Sequence, residues 1–297
     1  MKKILIIFLL LFTLISLSGC TVPIMNFEYA GDQTPINLYM GSYNGVIFDF
    51  KLSVGSITLE TNPTTENFSV TNKISIREGS NAQLEEAEEV SYEFTFGMKH
   101  QFRFDSKDET GDVDYKYDIV VKVPTKSRLE INFKVTTGDI SLTISDPTIV
   151  ITSLDLVSTT GSLTVALEDV GFDDPTVKID TTTGSLDLTL TSLNYTMAVT
   201  WDASTTTGDI NLTISAADAP SSPSRVYTFN LAITTGDLTV TTTLHADYGL
   251  QAAASVATGT ISLPGGGESY TSSNYASAAQ KYDFDLSVST GDITVTV

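Results

Sequence analysis

Cysteine is almost absent from this sequence of 297 residues, since Cys20 is the only one. A single thiol cannot form a disulfide or a cysteine-based metal site within one chain. Histidine is nearly as scarce, and the spacing of His100 and His245 matches no metal-ligand motif. We therefore predict a fold that forms without disulfides and a protein that holds no metal and no other cofactor.

Positive charge is scarce as well. The chain has 16 Lys+Arg against 36 Asp+Glu, which gives a formal net charge of −20. A surface this acidic repels the phosphate backbone of nucleic acids, so we predict no nucleic-acid partner. Charged residues make up only 18% of the chain, so the acidity is spread through a Ser/Thr-rich sequence instead of forming a disordered acidic tail.

The motifs of common catalytic sites are missing. The sequence contains no Gly-x-Ser-x-Gly elbow, no phosphate-binding loop and no His-Glu-x-x-His. Neighbouring carboxylates such as Asp173 and Asp174 fall in a predicted connection between strands, where solvated charge is the usual explanation. We predict that the protein is not an enzyme and has no catalytic residues.

The one long apolar run begins directly after Met1-Lys2-Lys3 and ends before Leu17-Ser18-Gly19-Cys20. A positive start, a short apolar stretch and small residues are typical of a secretory signal, so we predict a signal peptide over residues 1–19. Leu-Ser-Gly-Cys resembles a bacterial lipobox, which predicts lipidation of Cys20 and a lipid-anchored tether over residues 20–35. The alternative is an ordinary signal peptide followed by an incidental cysteine.

One short segment, Thr-Thr-Gly-Asp-Ile or a close variant, recurs through the chain. From the second copy onward its glycines are 23, 23, 24, 28, 23 and 32 residues apart. Self-similarity with this period is typical of a stacked repeat architecture. The glycines that define the copies are Gly55, Gly138, Gly161, Gly184, Gly208, Gly236, Gly259 and Gly291.

The residues around each glycine alternate between apolar and polar, which predicts a strand with one buried face on either side. Val135 and Ile140 flank Gly138 and are five positions apart, so a straight strand would point them to opposite faces. Both are apolar, so the chain must bend between them, and glycine permits the required backbone conformation. The pattern is weaker in three copies, where the position before the corner is polar: Ser158, Thr181 and Thr205.

We predict an all-β repeat solenoid in the form of a right-handed parallel β-helix. The alternative is an antiparallel β-sandwich or meander, because strand–turn–strand units also fit hairpins. Residues 36–128 are predicted to be an irregular β-rich region, with a hairpin near 90–104, and 129–297 the regular array. The last strand is expected at the open end of the stack, covered by the Gly/Ser/Tyr-rich connection 264–280.

The segments Asp118–Pro124, Leu129–Ile131, Thr136–Ile140 and Val288–Val295 together resemble the DUF4097-type adhesin family of envelope β-repeat proteins. The resemblance covers roughly residues 46–60 and 118–297. It implies a β-rich cell-envelope protein of adhesin-like or unknown role, with no established catalytic residues. Ser162, Ser185 and Thr260 replace the family's aspartate after the glycine.

Three kinds of side chain are candidates for binding. A row of Asp139, Asp209, Asp237 and Asp292 could attract Ca²⁺, although turn chemistry explains it more simply. Aromatic residues could form a sugar-binding strip, although Trp201 occupies an inward position that favours core packing. The strip would consist of Trp201, Tyr195 and Tyr227. Possible N-glycosylation sites are Asn67, Asn194 and Asn211, the last of which should face outward.

These features predict an exported, lipid-anchored cell-surface protein with a non-catalytic adhesin-like or envelope-structural role. Its location would be extracytoplasmic and anchored to the cell membrane. Its partners would be the membrane, through the lipid anchor, and surface glycans or envelope proteins. The alternatives are a carbohydrate-binding or carbohydrate-processing β-helix, and an envelope signalling component that binds a protein through residues 36–128.

Overall fold

The computed structural model describes residues 26–39, 45–64, 66–95, 99–106, 114–174, 176–219 and 224–297, so the predicted signal peptide and Cys20 lie outside the described residues. A 3-10 turn at Leu84–Glu86 accompanies 24 strands. The first twelve are β1 (Phe27–Asp32), β2 (Ile36–Tyr39), β3 (Gly45–Thr61), β4 (Asn67–Arg77), β5 (Ser91–Thr95), β6 (Lys99–Asp105), β7 (Tyr115–Val123), β8 (Arg128–Thr137), β9 (Ile140–Ser145), β10 (Val150–Thr160), β11 (Leu163–Glu168) and β12 (Gly171–Phe172). The others are β13 (Thr176–Thr183), β14 (Leu186–Thr191), β15 (Asn194–Tyr195), β16 (Val199–Thr207), β17 (Ile210–Ala216), β18 (Arg225–Thr235), β19 (Leu238–Leu244), β20 (Tyr248–Thr258), β21 (Ile261–Ser262), β22 (Ser269–Thr271), β23 (Gln280–Thr290) and β24 (Ile293–Thr296).

Each repeat gives one strand to each of two sheets. We call them the leading sheet, which holds the strand before the corner glycine, and the trailing sheet, which holds the strand after it. Neighbouring repeats pair parallel and in register, so that Leu156 of β10 lies between Phe133 of β8 and Ile179 of β13. The trailing strands β9, β11, β14, β17 and β19 pair in the same way. The predicted all-β repeat solenoid is confirmed, and the antiparallel alternative is wrong for the repeat array.

The layers do not follow the order of the chain at its C-terminal end. β23 pairs with both β18 and β20, and β24 pairs with both β19 and β21. The final repeat is therefore inserted between the two that precede it, and the expectation that the last strand ends the stack is wrong. From β7 through β3 to β21 the trailing sheet has nine layers, which at the usual strand spacing extend about 38 Å.

The physical reason for the inserted repeat lies in the connection and in the side chains of β20. The segment between β21 and β23 is long enough for the chain to return past one layer. Ala252 and Ala254 of β20 face Phe284 and Leu286 of β23. Small side chains suit a terminal layer, where the core has only one side to fill, whereas the bulkier β23 has a neighbour on each side.

Antiparallel strands cover most of the sheet edges at the two ends of the stack. β4 pairs with β7, and β1 and β2 pair with the other edge of β4. β5 covers β6, which confirms the predicted hairpin. At the opposite end β22 pairs with β20 through Gln251–Ala253, so part of the 264–280 connection covers a strand at the end of the stack, although that strand is β20 and not the last one. Covered edges cannot template the addition of further chains.

Part of the predicted tether is folded. β1 pairs with β4 from Phe27 opposite Arg77 to Asp32 opposite Lys73. The assignment of residues 20–35 as tether is therefore too long, and its folded part begins by Phe27. The alternating pattern that marks the repeats is weak here because β1 lies at a sheet edge and buries none of its six residues fully.

One continuous cluster of buried apolar side chains runs from Val46 to Val295, so the irregular and regular regions share a core. Aromatic rings in register stack on one another through it. The ring centroids of Trp201 and Phe229 are 5.9 Å apart at an interplanar angle of 9°. Trp201 has no exposed surface, which places it in the core and not in a binding strip.

Candidate functional site

The eight corner glycines lie above one another in a column along the stack. Their φ angles fall between +136° and +145°, a region that side chains with a Cβ rarely adopt. A Cβ on any glycine of the column except Gly55 would lie 1.6–2.2 Å from the carbonyl oxygen of the next corner glycine. At Gly55 it would lie 1.8 Å from the carbonyl oxygen of Tyr117. The column is therefore a close backbone contact that holds the layers together.

The aspartate that follows a corner glycine bonds to the next layer. The Asp139 carboxylate accepts a hydrogen bond from the N–H of Ser162 at 2.7 Å, and Asp209 accepts one from the N–H of Asp237 at 2.8 Å. Asp237 and Asp292 repeat this contact with the N–H groups of Asp292 and Thr260. The carboxylates thus accept hydrogen bonds from backbone N–H groups, as the turn interpretation predicted, but from those of the next layer. No cluster of metal ligands is found among the described residues.

The three copies that weaken the apolar pattern have a structural reason for their hydroxyl groups. Ser158, Thr181 and Thr205 are buried. Each donates a hydrogen bond to the carbonyl oxygen of a corner glycine in the preceding layer, at 3.1–3.2 Å. The hydroxyl group satisfies a backbone acceptor that would otherwise lie unpaired beside the core.

Replacing Ser185 by aspartate is expected to stabilise the stack. Serine leaves the N–H of Asp209 without a hydrogen bond in the described part of the chain, whereas an aspartate would accept it as Asp139 does. At the Gly138 corner the Asp139 carboxylate accepts from a backbone N–H while the Ser158 hydroxyl donates to the Gly138 carbonyl. An aspartate and a hydroxyl group can therefore form hydrogen bonds at the same corner. We expect a gain of about 1 kcal/mol, which is about 2–4 °C in the melting temperature.

Thermal unfolding of the Ser185→Asp chain measures this gain. The matched control is Asp209→Ser, which removes the acceptor for the N–H of Asp237 and should lower the melting temperature by a similar amount. Destabilisation by both substitutions would show that repulsion between stacked carboxylates outweighs the hydrogen bond.

The outer surface of the trailing sheet is nearly free of charge from β9 to β24. We call its outward side chains on β9, β11, β14, β17, β19 and β24 the hydroxyl face. Of these seventeen residues thirteen are Ser or Thr, and only Glu168 and Asp187 are charged. In-register pairing aligns them in columns, such as Thr189, Thr213 and Thr241. The hydroxyl members are Ser141, Thr143, Ser145, Thr164, Thr189, Thr191, Thr213, Ser215, Thr239, Thr241, Thr243, Thr294 and Thr296.

The outer surface of the leading sheet has a different character. Here the outward side chains form ion pairs and hydrogen bonds between layers, such as Lys134 with Asp155 at 3.6 Å and Asn230 with Asp202 at 2.6 Å. From β9 onward the solenoid thus has one charged side and one nearly neutral, hydroxyl-bearing side. From β8 to β23 the charged members are Arg128, Glu130, Lys134, Asp155, Lys178, Asp180, Asp202, Lys281, Asp283 and Asp285.

Charge is also unevenly distributed along the stack. Residues 135–297 hold only three of the 16 Lys+Arg but 18 of the 36 Asp+Glu. Among the described residues, the other Lys and Arg side chains belong to the layers near β1, where the chain enters the fold. The end from which an anchor would extend is therefore much less acidic than the opposite end.

A pocket of about 190 Å³ opens where the connections between layers change. The first residues of β10 and the short strands β12 and β15 form a ladder on this side, and it ends at Asn194–Tyr195. The guanidinium group of Arg225 donates to the carbonyl oxygen of Tyr195 that the ladder leaves open. We call this cavity the tyrosine pocket; its principal lining residues are Tyr195, Tyr227, Tyr248, Gln280, Asp169 and Asp218.

The environment of the tyrosine pocket keeps its phenols protonated. Burial raises the pKa of Tyr227 to about 12, and it raises the pKa of Tyr195 still more strongly. Burial, followed by the nearby carboxylate of Asp218, raises the pKa of Tyr248. These hydroxyl groups are therefore neutral hydrogen-bonding groups at every physiological pH.

The predicted modification sites are spread over the molecule. Asn67, Asn194 and Asn211 are all exposed, and Asn211 lies on the outer side of the trailing sheet, as expected. Its amide donates a hydrogen bond to the carboxylate of Asp187 at 2.9 Å, an interaction that a glycan at this nitrogen would disturb. Cys20 lies outside the described residues, and glycosylation and lipidation stay predictions.

The scarce titratable residues fill structural roles. His100 is buried against Tyr92, whose hydroxyl contacts its Nδ1, and burial lowers the pKa of the imidazole. His245 lies far away and pairs with Asp247 at 3.5 Å. Asp173, expected to be a solvated charge, instead accepts hydrogen bonds from Thr196 and Arg128, and these lower its carboxyl pKa.

Comparison with known proteins yields similarity to solved structures only. No family model matches the chain and no curated protein matches it. An inferred cell adhesion protein from Clostridium sporogenes is 11% identical over 89% of this chain and 98% of its own, with a TM-score of 0.40. An inferred adhesin from Bacteroides fragilis is 10% identical over 88% and 96%, with a TM-score of 0.35.

A third solved structure, an inferred lipid binding protein from Parabacteroides distasonis, is 10% identical over 89% of this chain and 94% of its own, with a TM-score of 0.23. Likenesses this distant say nothing about function, and the resemblance to the DUF4097-type family stays a prediction. In the described part of the chain no helix is long and apolar enough to cross a membrane.

Proposed function

We propose that this chain is an exported, lipid-anchored cell-surface protein with a non-catalytic adhesin-like or envelope-structural role. The observation that carries the proposal is the hydroxyl face, which stays almost free of charge in a chain whose net charge is −20. Its rows are fixed by in-register pairing and by the glycine column, so the surface is rigid before any partner arrives. A rigid neutral surface suits contact with surface glycans or envelope proteins and needs no catalytic group.

The placement of the chain's entry into the fold supports an anchor at that end. Asn26, the first described residue, follows Cys20 by six positions. Fully extended, this segment would span about 20 Å at most. A lipid on Cys20 would therefore keep the β1 end close to the membrane, and the layers from β18 to β20 would lie at the far end. The less acidic β1 end is also the one that anionic lipid head groups repel least.

Labelling with radioactive palmitate in a bacterial host that lipidates exported proteins tests the anchor. The unmodified chain is expected to incorporate label and to fractionate with the membrane. The Cys20→Ala chain should do neither, because no other cysteine is present to carry the lipid. Label that persists in the Cys20→Ala chain, or its absence from both chains, would contradict the anchor.

Binding of the purified, lipid-free Cys20→Ala chain to envelope fragments tests the surface role. Changing Thr189, Thr213 and Thr241 to aspartate places charge in one column of the hydroxyl face, which should weaken binding by roughly tenfold or more. The matched control changes Thr176, Thr200 and Thr228, an equivalent column on the outer surface of the leading sheet. Equal losses in both triple variants would count against a specific role for the hydroxyl face.

A further inference from the structure

We propose that the tyrosine pocket binds one neutral sugar unit, as the recognition site of the adhesive role proposed above, on which this inference rests. The pocket is lined in part by buried polar side chains. Gln280 lines it with only 6% of its surface exposed, and Tyr227 lines it with 2% exposed. In the described part of the chain neither the Gln280 amide nor the hydroxyls of Tyr227 and Tyr248 form a side-chain hydrogen bond. Gln280 and Tyr227 are buried and Tyr248 is partly buried. Buried polar groups are normally paired, so these unpaired groups are available to a ligand.

The chemistry of the lining selects the class of ligand. Phenol hydroxyls and a carboxamide can both donate and accept hydrogen bonds, which matches the hydroxyl groups of a sugar. The exposed carboxylates of Asp169 and Asp218 at the rim oppose an anion. The guanidinium group of Arg225, which donates to the carbonyl oxygen of Tyr195, is a positive charge beside the pocket and repels a cationic ligand. A neutral polyhydroxylated molecule is repelled by neither the carboxylates nor the guanidinium group.

The size of the pocket limits the ligand to one unit. A volume of about 190 Å³ corresponds to roughly six water molecules. It is smaller than the usual range for drug-sized ligands, which begins near 300 Å³. A single ring at the end or side of a glycan fills such a space, with the rest of the glycan outside.

The position of the pocket fits a recognition site. Its lining comes from the connections that follow β11, β14 and β17 and from the first residues of β18, β20 and β23. Most of these layers belong to the half of the stack farthest from β1. On an anchored chain they would face away from the membrane, where glycans of another surface can reach them.

Titration of the purified chain with free monosaccharides tests the inference. The probes are glucose, galactose and N-acetylglucosamine as neutral sugars, with glucuronate and choline as the anionic and cationic comparisons. Trp201 is the only tryptophan, and its ring centroid lies 5.4 Å from that of Phe172, which lies 5.6 Å from that of Tyr195. Its fluorescence should therefore report occupancy. We expect saturable binding of at least one neutral sugar and a weaker response to glucuronate and choline.

Two variants and one control link the signal to the pocket. Gln280→Leu removes the amide at similar volume, and Tyr248→Phe removes only a hydroxyl, so each should weaken binding by roughly tenfold. Gln251→Leu changes an exposed residue of β20 outside the pocket and should leave binding unchanged. Unchanged affinity in both pocket variants, tighter binding of glucuronate or choline, or no saturable sugar binding would each overturn the inference. Because the probes are free sugars, a negative result here would not change the outcome expected in the palmitate and envelope-binding experiments.

Discussion

Replacing Gly184 by alanine is expected to destabilise the stack severely, although the change adds one methyl group. The new Cβ would lie 2.0 Å from the carbonyl oxygen of Gly161, and the backbone φ of +144° is strained for any residue with a side chain. Neither layer can retreat, because both are fixed by parallel pairing on each side. We expect a loss of about 3–5 kcal/mol, seen as a fall of roughly 10 °C or more in the melting temperature.

Gly45→Ala is the matched control for that experiment. Gly45 also lies in a buried strand position, but a Cβ there would meet its nearest atom, the Arg128 carbonyl oxygen, at 3.7 Å. This is an ordinary van der Waals contact, so a change of less than about 1 kcal/mol is expected. If Gly184→Ala unfolded at the same temperature as Gly45→Ala, the close backbone contact in the column would not exist.

The corner was predictable because two local signals meet there. The odd step from Val135 to Ile140 requires a bend between two buried side chains, and Gly138 is the residue that permits it. Both flanking residues are buried and Gly138 has a φ of +137°. Such information lies within a few residues of sequence and does not depend on which layer is the neighbour.

The polar features depend on the neighbouring layer and were harder to predict. Thr205 looks like a defect in an apolar pattern, and its role is visible only when the carbonyl oxygen of Gly184 is placed beside it. Asp139 was expected to bond within its own turn, but its acceptor role is directed to Ser162, one layer away. Both hydrogen bonds depend on the register between neighbouring layers, which the sequence of a single repeat does not specify.

The tyrosine pocket also depends on contacts between layers that the sequence of one repeat does not reveal. Tyr195 and Tyr227 were candidates for a binding strip, but nothing in the sequence grouped them with Gln280 or separated them from Trp201. The pocket exists because a ladder of short strands ends at Tyr195 and the next connection is longer. Connection lengths indicate where a solenoid changes shape, and that signal could have directed attention to the segment after Ala216.

Removing residues 280–297 is expected to unfold the layer that precedes them in the chain. β20 pairs with β23 along its whole length, from Tyr248 opposite Gln280 to Thr258 opposite Thr290. Without β23 the nearest strand would be β18, where Ala252 and Ala254 would face Phe229 and Leu231 in place of larger side chains and leave cavities. Hydrogen exchange in residues 248–271 should approach that of an unfolded chain, while β10 to β17 keep their protection.

A stack built in chain order predicts the opposite, since β20 would then pair with β18 directly and survive the deletion. Cysteine pairs in the intact chain distinguish the two orders without disturbing the fold, in a Cys20→Ser background. Ser287→Cys should cross-link both with Ala232→Cys and with Ser255→Cys, because β23 lies between β18 and β20 and adjacent strands are about 4.8 Å apart. Ala232→Cys and Ser255→Cys would be two layers apart, about 10 Å, which is beyond the reach of a disulfide. A rapid cross-link between those two would place the last repeat back at the end of the stack.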